Sequence, residues 1–292
     1  MNINFIGRNN ANFYGHWANR NGKQSVDYYN QKCLERRDKY EFQVDPEVKS
    51  YVEEVNKKGY CKIENYIDIS VLEKLNGEFE DLIQDGSKLK QNSQSHIVAG
   101  DPFLNTTAAL ELAFDDRLIK IATGFFNCIP GIGTFNLRKS LVNNLPAEGT
   151  NLWHRDFNSP VKIIKFFFYL NDVDENNGPF SYVEESNNKM FNGWWLKHRW
   201  LDEELGQIYG NDKLKRLTAK KGDLLIATTN GWHKGEKLVS GTRSMLTINF
   251  LVHPELAGGV EQDESKRFKI SQEDFNNLPD WKKPVADFLL KV

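Results

Sequence analysis

The chain lacks an apolar run of membrane-spanning length; the longest candidate, Ile163-Ile164 with Phe166-Phe167-Phe168, is interrupted by Lys165. Its first residues, Met1-Asn2-Ile3-Asn4-Phe5-Ile6-Gly7, contain no apolar stretch long enough for a signal peptide. Cysteine is scarce. Cys33, Cys61 and Cys128 are odd in number and widely spaced, which excludes a disulfide framework or zinc motif and fits a reducing cytoplasm. No charge of one sign predominates: 38 basic against 40 acidic residues leave a net charge of −2, so no electrostatic case for nucleic-acid binding exists. Repeats and low-complexity blocks are absent as well. These absences fit a cytoplasmic protein and argue against nucleic acid and membrane as partners; they do not bear on oligomeric state.

What is present is a long chain with one change of character. At 292 residues it suffices for one large domain with a substantial core, or barely two. Residues 1–25, rich in Asn and Gly, are expected to form a loosely ordered arm, and 26–292 a single domain. Residues 26–130 read as helical support, with one short strand at Gly59-Tyr60-Cys61-Lys62-Ile63. Ser70-Val71-Leu72-Glu73 is a capping-box signature, followed by Val71, Leu75, Phe79, Leu82 and Ile83 at helical spacing. Strands dominate 134–255, broken by a polar, aromatic-rich insertion over 186–215, and 265–292 returns to helix. Helices first and strands second predict a mainly β core with flanking helices.

Within the strand-rich half, His154-Arg155-Asp156 stands out. Six histidines and 40 acids in this chain give about 0.8 accidental His-x-acid matches, so the tripeptide alone is weak. His253-Pro254-Glu255 is such a decoy: no histidine follows it, and its proline breaks strand pairing. His154-Arg155-Asp156 instead precedes Lys162-Ile163-Ile164-Lys165-Phe166-Phe167-Phe168-Tyr169-Leu170, which reads as a central strand. In extended chain, residues i and i+2 share a face. His154 and Asp156 can therefore meet one metal while Arg155 points away.

A second imidazole follows after Leu224-Leu225-Ile226-Ala227-Thr228-Thr229, a buried strand closed by the turn Asn230-Gly231. That imidazole is His233. Ser240-Gly241-Thr242 turns the chain again, and a strand runs from Arg243 to Val252. A hairpin-like return would lay Arg243 beside His233, with Met245, Thr247 and Asn249 on its face. Two imidazoles and one carboxylate can occupy one face of an octahedral metal, the ligand set of non-haem iron(II) oxygenases. A guanidinium nearby gives a planar grip on a dicarboxylate co-substrate such as 2-oxoglutarate.

The runs Trp153-His154-Arg155-Asp156, Lys165-Phe166-Phe167-Phe168-Tyr169-Leu170-Asn171-Asp172-Val173, Asn177-Gly178-Pro179-Phe180 and Lys221-Gly222-Asp223, then His233 and Arg243, together resemble the phytanoyl-CoA dioxygenase (PhyH-like) family. The resemblance implies a double-stranded β-helix, a cupin-like jelly-roll barrel. It implies iron(II) on His154, Asp156 and His233, and 2-oxoglutarate clamped through its far carboxylate by Arg243. It further implies dioxygen as oxidant and oxidation of an unactivated C–H bond in a small metabolite, with release of succinate and carbon dioxide. An intact Asp156 points to hydroxylation or desaturation, since related halogenases lose that carboxylate. One departure falls at Met245, where many related oxygenases carry a hydroxyl residue two positions after the arginine.

Competing readings stay open at this stage. Zinc or manganese on the same ligands would give a cupin-like hydrolase or isomerase, and a barrel without turnover could bind a ligand only. Thr247 can supply a hydroxyl to the co-substrate. Lys165 is either an interior residue near the co-substrate or an edge-strand gatekeeper. Arg138 alternates onto a face with Ser140; it can meet an anionic substrate or lie on a solvated face. Phe167 and Trp194 are candidate substrate contacts, the latter in the lid-like insertion with Trp195, Lys197, His198, Arg199 and Trp200.

Overall fold

The computed structural model describes residues 5–7, 22–156, 162–191, 197–253 and 267–292. Two helices, α1 (Gly22–Lys39) and α2 (Pro46–Lys58), precede the first strand of the large sheet. Asp45 caps α2, its side chain accepting from the Glu47 amide, Pro46 occupies the first turn, and Gly59 closes it at φ 97°. Strand β2 (Tyr60–Ile63) follows, after β1 (Phe5–Gly7). Helix α3 (Ile69–Asp85) starts earlier than its sequence signature suggests. Asp68, not Ser70, is the cap, accepting from the Ser70 amide, and Ser70 lies inside the first turn. Leu72, Leu75, Phe79 and Leu82 then fall on one buried stripe.

Residues 26–130 are less purely helical than expected. Besides β2 they hold the hairpin β3 (Leu89–Asn92) and β4 (His96–Ala99), before α4 (Pro102–Asn105), α5 (Thr107–Ala113) and α6 (Asp116–Phe126). The later strands are β5 (Gly131–Leu141), β6 (Ile164–Tyr169), β7 (Phe180–Val183), β8 (Lys189–Phe191), β9 (Leu214–Leu217), β10 (Leu224–Ala227), β11 (His233–Gly235) and β12 (Thr242–Leu251). A seven-stranded antiparallel sheet has the order β2-β10-β6-β12-β5-β4-β3, so β6 is central and Lys165 is no edge residue. A three-stranded sheet, β11-β7-β9, faces it, and β1 pairs with β8. This is the mainly β double-stranded β-helix with flanking helices that the resemblance implied.

Period-two alternation explains the layering. One face of the large sheet presents Phe166, Phe168, Ile226, Leu246, Ile248 and Phe250 to the helices, in a core shared with Leu75, Phe79, Ile121 and Phe125. Each such fully buried side chain contributes about 1.5–3 kcal/mol of transfer free energy. The other face presents Phe167, Tyr169, Leu225, Ala227 and Met245 to Phe180 and Tyr182 of the small sheet. Between the two sheets this inner core stops short, leaving a cavity of about 220 Å³.

The insertion 186–215 contains β8 and helix α7 (Asp202–Tyr209); Trp200 packs in a satellite core with Phe191 and Trp232. Trp194 and Trp195 lie outside the described residues, as does most of the 1–25 arm. The C-terminal region is only partly helical: α8 (Gln272–Asn277, capped by Ser271), a 3-10 run over Asp280–Ala286, and the parallel pair β13 (Lys269–Ile270) and β14 (Leu290–Lys291). Among the described residues no helix is long and apolar enough to cross a membrane.

Candidate metal centre and co-substrate pocket

The small sheet builds the centre. Residues His154 and His233 exchange backbone hydrogen bonds, His154 N–H to His233 carbonyl at 3.0 Å and the reverse at 2.9 Å. This pairing carries the Trp153–Asp156 segment alongside β11 and sets the imidazole centroids 4.3 Å apart. The Asp156 amide donates to the Thr229 carbonyl at 2.9 Å, fixing the third residue of the motif. Ligand atoms of His154, Asp156 and His233 all lie within 4.8 Å of one another. Arg155 turns the other way, its guanidinium bonded to the Asn230 carbonyl and over the Trp232 ring.

Second contacts tune these ligands. The Nδ1 of His154 meets the Leu152 carbonyl at 2.9 Å, and that of His233 meets the Gly231 carbonyl at 3.0 Å. Each Nδ1 therefore carries the proton, leaving Nε2 with its lone pair free, as a metal requires. Burial, reinforced by the neighbouring His154, pushes His233 down to about 3, and burial lowers His154 too, so both rings are neutral at pH 7. For Asp156 burial acts upward, but Lys165 and His233 outweigh it and hold the carboxyl well below the usual range. Lys165 Nζ sits 2.7 Å from Asp156 Oδ2. Asp202 at the start of α7 braces both histidine segments, accepting from Trp153 Nε1 at 2.7 Å and Lys234 Nζ at 2.6 Å. Trp232 and Lys234, whose side chains could have marked His233 as a surface residue, are both buried.

Arg243 crosses from the large sheet to the small one. Its guanidinium donates to the Gly178 carbonyl and passes 3.3 Å from where a Cβ on Gly235 would stand. Only 5 % of Arg243 is exposed, and its Nε has no hydrogen-bond partner. The Tyr169 hydroxyl proton finds no acceptor, Ser140 Oγ is likewise buried without a partner, and Ser140 is the cross-strand neighbour of Arg243. A cation with orphaned donors around it fits a carboxylate, and two neutral imidazoles with one ionised carboxylate fit a divalent metal. Iron(II) and 2-oxoglutarate thus suit the residues present.

The remaining candidates fall on the cavity wall. Thr247, Phe167 and Lys165 line it, with Phe167 against Phe180 at 4.8 Å between centroids. Arg138 also lines it rather than lying on a solvated face, half-buried on β5. Burial and the nearby Arg243 push its guanidinium down to about 10. Tyr169 and Asn136, never singled out by motif, line the same wall; alternation with Lys165 and Arg138 was the available signal. His96, without ligand-like company in sequence, stands beside Ser140 on β4, where Arg138 and Arg243 help lower its pKa after burial. His253 stands apart from the centre, between the rings of Tyr28 and Phe288.

A jelly roll with two histidines and an aspartate at one end of its inter-sheet cavity defines the class of non-haem iron oxygenases. The sequence profile of the phytanoyl-CoA dioxygenase (PhyH) family matches residues 55–245. The chain belongs to that family, whose members are iron(II)- and 2-oxoglutarate-dependent enzymes using dioxygen. No curated protein matches it in sequence. Solved structures of similar fold include EctD from S. alaskensis with bound iron (TM-score 0.57, 16 % identity, covering 79 % of this chain and 82 % of that one). HygX from Streptomyces hygroscopicus, with nickel, 2-oxoglutarate and hygromycin B, gives 0.52 and 16 %, covering 69 % and 86 %. The epimerase SnoN of nogalamycin biosynthesis gives 0.53 and 14 %, covering 71 % and 84 %.

Proposed function

We propose that this chain hydroxylates an unactivated C–H bond of a small, anionic metabolite. In this reading His154, Asp156 and His233 hold iron(II), and Arg243 holds the far carboxylate of 2-oxoglutarate. The observation that carries it is the convergence of three ligand side chains within 4.8 Å, at a cavity also lined by a carboxylate-free arginine. Iron with 2-oxoglutarate and dioxygen supplies the oxidising chemistry, with succinate and carbon dioxide as co-products. The protein's part is positioning. The two carbonyls at Leu152 and Gly231 lock the imidazole tautomers, and Lys165 holds Asp156 Oδ2, the oxygen 3.8 Å from His233 Nε2, in place. Phe167 and Phe180 keep water from the cavity wall.

The anionic character of the substrate rests on Arg138. Lys165 is matched by Asp156 and Arg243 by the co-substrate, whereas Arg138 has no ion pair or hydrogen bond among the described residues. A half-buried cation left unmatched favours a ligand that brings a negative group. The three cysteines, buried and unbridged, support a reducing cytoplasm as its compartment.

Anaerobic addition of iron(II) and 2-oxoglutarate to apoprotein tests the core of this reading through the visible charge-transfer band of the chelate. The band is expected in wild type and not in His154→Ala; its absence from wild type refutes the assignment. Succinate release is then screened with metabolite acids and their neutral methyl esters. Preference for the esters would remove the anionic-substrate element and leave the iron chemistry standing.

A further inference from the structure

Arg243 enters the cavity from β12 with its Nε unpartnered. Two residues after Arg243 stands Met245, whose thioether cannot donate a hydrogen bond. Directly across from Met245, on the adjacent strand β6, stands Tyr169. Tyr169 is fully buried, the Phe180 backbone approaches its oxygen, its hydroxyl proton has no acceptor, and its side chain lines the same cavity as Arg243 and Met245. Phenylalanines occupy the three preceding positions, Phe166, Phe167 and Phe168. A fourth would fill nearly the same volume without orphaning a polar atom, so the hydroxyl has a purpose beyond packing.

We infer that Tyr169 supplies a hydroxyl from the neighbouring strand where β12 offers only the Met245 thioether, so that the phenol and Arg243 together hold the far carboxylate of 2-oxoglutarate. The inference rests on the reading above, because it needs that co-substrate in the cavity. Burial pushes the phenol up to about 12, so it stays protonated at neutral pH and donates, as a carboxylate requires. Phenol and guanidinium are near enough to shift each other's ionisation, and both orphaned donors, Arg243 Nε and Tyr169 Oη, find a partner in one ligand group. Register explains how the exchange is possible. Cross-strand neighbours project to the same side of the sheet, so a hydroxyl on β6 reaches the place that a side chain at position 245 on β12 would serve.

The test is an anaerobic titration of the iron(II)-loaded protein, reading the charge-transfer band for 2-oxoglutarate and for 2-oxopentanoate, which has the same length but no far carboxylate. Tyr169→Phe is expected to weaken 2-oxoglutarate about ten- to a hundredfold, as for loss of a hydrogen bond to a charged group. Binding of 2-oxopentanoate should stay unchanged, a selectivity that a merely structural role would not produce. Adding Met245→Ser to Tyr169→Phe should restore much of the affinity. Binding of 2-oxoglutarate to Tyr169→Phe within twofold of wild type, or equal weakening of both oxo acids, overturns the inference while the iron assignment stands. Failure of wild type itself to give a band overturns the underlying reading instead.

Discussion

Replacing Arg243 with methionine should move ligand affinity and protein stability by very different amounts. Arg243 is enclosed and bonded to the Gly178 carbonyl, and no carboxylate among the described residues pairs with it; burial lowers its pKa. Holding an unmatched guanidinium in that position is costly to the metal-free protein. Its removal relieves that cost, leaves one carbonyl less well satisfied, and lets methionine fill most of the volume. The two effects nearly cancel, so apoprotein stability should stay within about 1 kcal/mol of wild type. In the proposed loaded site the same residue would meet a carboxylate out of water. Truncating one partner of such a pair costs about 2–5 kcal/mol, a roughly 30- to 5,000-fold change in Kd. Urea unfolding of the apoprotein measures the first quantity, and anaerobic titration with 2-oxoglutarate the second. A variant that loses more than about 3 kcal/mol of apoprotein stability yet binds 2-oxoglutarate within about tenfold of wild type would show that Arg243 braces the two sheets rather than grips a ligand.

The metal-free protein should lose stability as pH falls below about 6.5, because the unfolded chain protonates its histidines there whereas burial keeps His233 and His154 neutral in the fold. The slope should reach about 1.4 kcal/mol per pH unit for His233, measured as melting in chelator from pH 7.5 to 5, and a flat profile would contradict it. Asp156 acts in another window: its lowered pKa contributes stability above the unfolded value near 3.9 that is lost only as pH falls further. Gly231→Ala would drive a Cβ into the buried Tyr182 phenol and displace the carbonyl that orients His233. It should cost about 1–3 kcal/mol of stability and weaken iron about tenfold in chelator competition, with unchanged iron affinity counting against the carbonyl's role.

Much of this centre was legible as linear pattern. Spacing i, i+2 put His154 and Asp156 on one face, the Asn230-Gly231 turn delivered His233, and alternation on β12 placed Arg243, Met245 and Thr247 together. Periodicity reports which residues share a face, because side-chain direction is a local property of the backbone. It carries no information about which strands become neighbours. The charge pair between Lys165 and Asp156, the brace from Asp202, and the partnership of Tyr169 with Met245 all join residues through cross-strand register or sheet stacking. For the same reason Arg138 read equally as solvated or interior until a second sheet covered its face, and β3 and β4 were lost among helices because four-residue strands hold their shape only by pairing, β3 with β4 and β4 with β5. Thus the chain's local chemistry determined a candidate metal-ligand set on a strand-rich core flanked by helices. Packing of one sheet against another decided which cations are matched, which hydroxyls are left without partners, and where a co-substrate can lie, since those outcomes depend on long-range contacts that no local pattern encodes.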